Sequence, residues 1–201
     1  MNQTAPKKRA AVFLDRDGTV NIEASYIREL KNLNLIPGAA EAIRGLNQLN
    51  IPVVLVTNQS GVARDYYPES WIGELHNRLT TLLAAEGAHL DRLYYCPHLP
   101  DGVVPAFSGP CDCRKPEPGM LLSAAKDLNL DLSASFMVGD KATDVEVGER
   151  VGAKTILLTS GYGQQVIDGT YQHKVNPEYI FPSLLDAWND VLKSHFEKTK
   201  S

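Results

Sequence analysis

The chain lacks the marks of several protein classes. Its three cysteines, Cys96, Cys111 and Cys113, are an odd number and too few for a disulfide framework. No apolar run approaches the ~18 residues of a membrane-spanning helix. Beyond Lys7, Lys8 and Arg9, the apolar stretch from Ala10 to Leu14 stops at Asp15, short of the ~7 to 15 residues of a signal-peptide core. Positive charge is not in excess, since 20 Lys and Arg face 24 Asp and Glu for a net charge of −4. The basic face that non-specific nucleic-acid binding needs is therefore missing. There is no internal repeat and no low-complexity segment. These absences lead to the expectation of a cytoplasmic protein with no nucleic-acid or membrane partner. With 201 residues, 43% of them hydrophobic, the chain is expected to form one domain over 1–201 and to act as a monomer.

What is present is an alternation. Ala11 to Leu14, Val53 to Val56, Leu93 to Tyr95, Phe136 to Val138 and Thr155 to Leu158 read as short buried strands. Between them apolar residues recur at helical spacing: Ile43, Leu46 and Leu49; Ile72, Leu75, Leu79, Leu82 and Leu83; Leu121, Leu122, Ala125 and Leu128. A last helix is predicted from about Ser183, a capping residue, to Phe196, with Leu184, Leu185, Trp188, Val191 and Leu192 on one face that closes the sheet's flank. The pattern predicts an α/β, Rossmann-like doubly wound fold, a mostly parallel sheet with helices on both faces. In such folds ligands sit beyond the carboxyl ends of the strands. Polar residues do follow the strands: Asp15 and Asp17, Thr57 and Asn58, Cys96 and His98, Asp140 and Asp144.

Four short motifs carry candidate chemistry. In Asp15-Arg16-Asp17-Gly18-Thr19, two carboxylates at i and i+2 beyond a strand can face one pocket, one attacking phosphorus and the other moving a proton. Asp-Gly is also an ordinary turn dipeptide. A calcium loop is excluded, because no third acidic or amide position precedes the glycine. Thr57-Asn58-Gln59-Ser60-Gly61 offers a hydroxyl and backbone N–H groups suited to phosphoryl oxygens. Arg114-Lys115-Pro116 places two cations in a rigid loop, where a lysine offsets phosphoryl charge. Gly139-Asp140-Lys141-Ala142-Thr143-Asp144 supplies carboxylates for Mg²⁺ beside Asp15; an acid that only serves a helix dipole is the lesser reading of Asp144.

Cys96-x-His98, then Cys111-x-Cys113 after twelve residues, gives the number and kind of ligands of a closed tetrahedral Zn²⁺ site. Such a site is structural, and would pin the loop from Pro97 to Pro110 and hold Arg114 and Lys115. Unligated thiols are the alternative.

In this order, Asp-x-Asp-Gly-Thr, Thr-Asn, Lys-Pro and Gly-Asp-x-x-x-Asp resemble the haloacid dehalogenase superfamily of phosphatases over about Ala10 to Gly161. The resemblance implies a Mg²⁺-dependent phosphoric monoester hydrolase with Asp15 as nucleophile and Asp17 as general acid and base. It implies that Thr57 and Lys115 hold the phosphoryl group, and that Asp15, the Asp17 carbonyl and Asp140 hold Mg²⁺. The Cys/His loop narrows the resemblance to a nearly capless subgroup whose substrates include sugar bisphosphates and histidinol phosphate. There Gly18, Thr19 and Asn21, then Asn58, Gln59 and Ser60, then Arg114 with Lys115, would meet substrate, and the Cys/His loop and Asn21 to Asn34 would close the pocket. Glu23 or Glu29 would provide the acidic pocket that a histidinol amine needs. A zinc-stabilised binding domain without catalysis is the reading from another class.

Overall fold

The computed structural model describes residues 8–199; Lys7, Lys200 and Ser201 lie outside that range. Six strands, β1 Val12–Leu14, β2 Val53–Asn58, β3 Arg92–Cys96, β4 Phe136–Gly139, β5 Lys154–Leu158 and β6 Tyr179–Phe181, form one sheet in the order β3-β2-β1-β4-β5-β6. Every pairing is parallel. The sixth strand is not foreseen above, because Tyr179-Ile180-Phe181 is a run of three residues between Pro177 and Pro182, shorter than the ~4 to 8 residues that mark a strand.

Alternation along each strand splits the core into two layers. Val12, Leu14, Val53 and Leu55 face one side, where they pack with α1 (Ala39–Gln48), α2 (Ser70–Ala85) and the C-terminal helices. Ala11, Phe13, Val54 and Val56 face the other, against Met120, Leu121 and Ala124 of α3 (Gly119–Leu128). α3 is thus rotated from the expected face, and Leu122 is exposed. α4 (Ala142–Arg150) and the short α5 (Gly163–Asp168) follow β4 and β5.

The C-terminal helix is three segments: α6 (Leu184–Ala187), a π-helical stretch Trp188–Leu192 and α7 (Lys193–Lys198). Ser183 Oγ accepts the Asp186 N–H, as a cap should. Leu184, Trp188, Leu192 and Phe196 are buried over the sheet face beside α1 rather than at its flank. Trp188 fits there because Gly45 of α1 has no side chain; a Cβ on Gly45 would lie 2.4 Å from the indole.

Between β1 and β4 the direction of winding reverses. That is the topological switch point, where the fold opens a crevice at the carboxyl ends of the strands. Asp15 follows β1 and donates its N–H to the Val138 carbonyl of β4 at 2.9 Å, so the backbone fixes the first motif against the fourth.

Candidate active site

A cavity of about 490 Å³ opens at this crevice, lined by Asp15, Asp17, Thr57, Asn58, Gln59, Ser60, Arg114 and Lys115 among others. At its floor, Lys115 Nζ stands 2.9 Å from Asp15 Oδ1 and 2.6 Å from Asp144 Oδ1, and donates to the Val56 carbonyl at 2.7 Å. All three side chains are buried. Burial would raise the Asp15 carboxyl, but Lys115 and Lys141 overcome it and hold Asp15 below the usual carboxylate range. Burial would likewise depress Lys115, yet Asp144 and Asp15 raise it. A buried ammonium and an ionised carboxylate are thus maintained together.

Lys115 is delivered by reciprocal bonds: its N–H donates to Asn58 Oδ1 and its carbonyl accepts Asn58 Nδ2, both at 3.0 Å. Asn58 therefore ties β2 to the Arg-Lys-Pro loop.

Asp17, also on the cavity wall, has a separate set of partners. The buried Arg16 guanidinium holds both of its oxygens at 2.8 and 2.9 Å, Asn21 Nδ2 donates to Oδ1 at 2.9 Å, and Gln59 Nε2 to Oδ2 at 3.0 Å. Gln59 Nε2 also reaches Thr57 Oγ1 at 2.9 Å, leaving that hydroxyl's own proton free to donate. Gly18, Thr19 and Asn21, expected above to touch substrate, are not among the lining residues. Thr19 and Asn21 are fully buried, and Asn21 serves Asp17 instead. Gly18 has a φ of +82°, and a Cβ there would fall 2.3 Å from Asp140 Oδ2. Only glycine permits that approach.

Asp140 is wholly buried. Its Oδ2 accepts the Tyr162 N–H at 2.8 Å, while Oδ1 accepts no hydrogen bond, with Lys141 Nζ at 3.4 Å. Burial pushes its carboxyl up to about 8 against the pull of Lys141. Carboxylate oxygens of Asp15, Asp140 and Asp144 lie within 4.8 Å of one another. Among the described residues, no N–H bonds to the Asp17 carbonyl. A buried acceptor lacking a donor, beside two more carboxylates and a free carbonyl, suits a hard divalent cation.

Lys141 has no signature in the spacings above beyond following Asp140. Its Nζ meets Glu23 at 3.0 Å, Asp140 at 3.4 Å and Asp15 at 3.7 Å. Also unforeseen are Tyr162 and Tyr171, stacked with centroids 4.1 Å apart on the cavity wall. From the segment 21–34, Glu23, Ser25 and Tyr26 line the cavity.

Cys96, His98, Cys111 and Cys113 converge, with donor atoms within 4.8 Å of one another. Sulfur separations are 3.0, 3.5 and 3.6 Å, and His98 Nδ1 lies 3.5 Å from Cys113 Sγ. A tetrahedral Zn²⁺ with Zn–S of ~2.3 Å spaces its ligands at a similar distance, so the donors fit it in kind and number. Arg114 Nη1 donates to the His98 carbonyl at 3.1 Å, linking this cluster to the loop that carries Lys115.

Two family models match the chain: haloacid dehalogenase-like hydrolase over residues 12–73, and HAD-hyrolase-like over 112–187. The chain belongs to the haloacid dehalogenase-like hydrolases. It is 50% identical over 183 residues to a D-glycero-D-manno-heptose-1,7-bisphosphate 7-phosphatase of Thermosynechococcus vestitus, covering 89% of this chain and 93% of that one. It is 42% identical over 188 residues to the D-glycero-beta-D-manno-heptose-1,7-bisphosphate 7-phosphatase of Yersinia pestis, covering 92% and 95%. Among solved structures, D,D-heptose 1,7-bisphosphate phosphatase from B. bronchiseptica, complexed with magnesium and phosphate, superposes with a TM-score of 0.81 at 29% identity, over 92% of this chain and 99% of that one.

Proposed function

We propose that the chain is a single-domain, Mg²⁺-dependent phosphatase that removes the 7-phosphate of D-glycero-D-manno-heptose 1,7-bisphosphate through an aspartyl-phosphate on Asp15. The observation that carries this reading is the buried triad in which Lys115 stands between Asp15 and Asp144. Asp15 is thereby ionised and fixed beneath the cavity, as a nucleophile must be.

One Asp15 oxygen attacks phosphorus, and the bond from phosphorus to the sugar oxygen breaks. Asp17 gives that leaving oxygen its proton. Water then attacks the aspartyl-phosphate, Asp17 takes the water's proton, and inorganic phosphate departs with Asp15 restored. Thr57 Oγ1, oriented by Gln59, and Lys115 hold the non-bridging oxygens, most strongly as charge develops. Asp15, Asp140 and the Asp17 carbonyl would hold Mg²⁺, which offsets the charge of phosphate and carboxylate in their approach. Zn²⁺ held by Cys96, His98, Cys111 and Cys113 would fix the loop carrying Arg114 and Lys115.

The substrate reading draws on the names of the relatives and on the cations Arg114 and Lys141 in the cavity. Its product, a heptose 1-phosphate, would serve the synthesis of a nucleotide-activated heptose in the cytoplasm. Histidinol phosphate is less well matched. Glu23 is paired with Lys141 at 3.0 Å, and Glu29 does not line the cavity, so neither offers an unpaired carboxylate to an amine there. No helix among the described residues is long and apolar enough to cross a membrane. Action as a monomer without nucleic-acid partners completes the reading.

Asp15→Asn should abolish phosphate release in a protein that still folds to the same far-UV circular dichroism, with stability lowered because Lys115 keeps only Asp144. Full activity in that variant, or a higher kcat/KM for histidinol phosphate in the wild type, would overturn the proposal.

A further inference from the structure

We propose that Arg64 determines specificity, clamping the phosphate that stays on the sugar while the other phosphate is transferred to Asp15. This rests on the bisphosphatase reading above.

Four cations line the cavity: Arg64, Arg114, Lys115 and Lys141. Three are engaged. Lys115 pairs with Asp15 and Asp144, Lys141 with Glu23, Asp140 and Asp15, and Arg114 donates to the His98 carbonyl. The Arg64 guanidinium meets no carboxylate, carbonyl or ring among the described residues, and the residue is exposed. A solvated guanidinium at the rim of a cavity is a bidentate receptor for a phosphate monoester, with no internal ion pair to break first.

The backbone beneath it is rigid. Arg64 N–H donates to the Ser60 carbonyl at 3.0 Å, Asp65 to Val62 at 3.0 Å and Tyr66 to Gly61 at 2.9 Å. Val62 and Ala63 are buried. A Cβ on Gly61 would come within 2.3 Å of the Tyr67 ring, so the turn is closely packed. The Ala63 carbonyl accepts the N–H groups of Val103 and Val104 at 2.8 and 3.1 Å. The turn bearing Arg64 is therefore docked on the loop that ends in Arg114. The two guanidinium groups belong to segments that are bonded to each other.

The chemistry needs such a group. A sugar bisphosphate brings a second, nearly dianionic phosphate into a cavity that also contains Asp15, Asp17 and Glu23. Lys115 and Lys141 are held by those floor carboxylates, so charge balance at the rim falls to the arginines.

The test is steady-state kinetics of wild type, Arg64→Gln and Arg64→Lys. Substrates are heptose 1,7-bisphosphate against heptose 7-phosphate, and glucose 1,6-bisphosphate against glucose 6-phosphate. Arg64→Gln should raise KM for bisphosphates about tenfold with kcat within about twofold, leave both constants for monophosphates unchanged, and be partly rescued by Arg64→Lys. An unchanged bisphosphate KM, an equal loss on mono- and bisphosphates, or a wild type that prefers neither bisphosphate to its monophosphate overturns the inference. Wild-type turnover confined to the hexose pair would remove the heptose reading while the hexose comparison still judges Arg64. Heptose turnover that is indifferent to Arg64 would do the reverse.

Discussion

Asp144 Oδ1 lies 2.6 Å from Lys115 Nζ, while Asp144 Oδ2 accepts the Lys141 backbone N–H at 3.0 Å. One carboxylate thus caps α4 and anchors the ammonium beside Asp15. Asp144 therefore serves the helix end and faces the buried Lys115 at once. Asp144→Asn keeps an acceptor for the cap but removes the charge, leaving buried Lys115 with Asp15 alone. Breaking a buried pair costs roughly 3–5 kcal/mol, so denaturant unfolding should show a loss of that order. Asp144→Ala should cost about 1 kcal/mol more through the cap. Equal stability of Asn and Ala variants would refute the capping role.

A second prediction concerns Asp17, whose oxygens are held by Arg16, Asn21 and Gln59. If Asp17 protonates the leaving oxygen, its removal should matter most for poor leaving groups. Asp17→Asn is expected to lower kcat/KM by ~10²–10⁴ for a sugar phosphate. For p-nitrophenyl phosphate, whose leaving group departs without a proton, the fall should be much smaller. Comparable losses on both substrates would assign Asp17 a different role.

The Cys/His cluster gives a third. Purified protein should contain about one zinc per chain, and Cys113→Ser should lose it. Because Arg114 bonds to the His98 carbonyl, zinc loss should reduce kcat/KM as well as stability. A zinc-free protein of unchanged melting temperature and activity would defeat the structural role.

The sequence made some of this legible and hid the rest for physical reasons. β1, β2, β4 and β5 were readable because they are buried on both faces and so appear as unbroken apolar runs. The convergence of Asp15, Thr57, Lys115 and Asp140 was readable because each follows a strand or lies in a loop motif. β6 was not, since its apolar run Tyr179-Ile180-Phe181 is only three residues long, too short to separate from a loop. Thr19 and Asn21 were given to substrate by the resemblance, and a matching motif does not say whether a side chain turns into the cavity or beneath it; both are buried away from its lining. The Lys141–Glu23 pair spans residues distant in the chain, and the Tyr162–Tyr171 stack depends on how the segment after α5 returns. No local spacing encodes either.

His76 provides a pH signature. Its Nε2 is buried without a hydrogen-bond partner, and burial with the nearby Arg16 guanidinium pulls the imidazole down to about 4. Unfolded, it would titrate at its ordinary value of 6.5. Between these values the unfolded chain binds a proton that the folded chain refuses, so stability rises with pH. The contribution is fully present above about 6.5 and is lost progressively as pH falls to about 4, amounting to roughly 3 kcal/mol at ~1.4 kcal/mol per pH unit. Below about 4 both states are protonated and this group adds no further slope. His76→Phe keeps an aromatic ring against Tyr95, which meets His76 edge-on at 5.7 Å, and removes the titration. Urea unfolding of wild type and variant from pH 4 to 8 should therefore give a stability difference that changes by that amount across the window, in favour of the variant at the acid end. A difference independent of pH would mean that His76 reaches solvent or a partner in the folded protein.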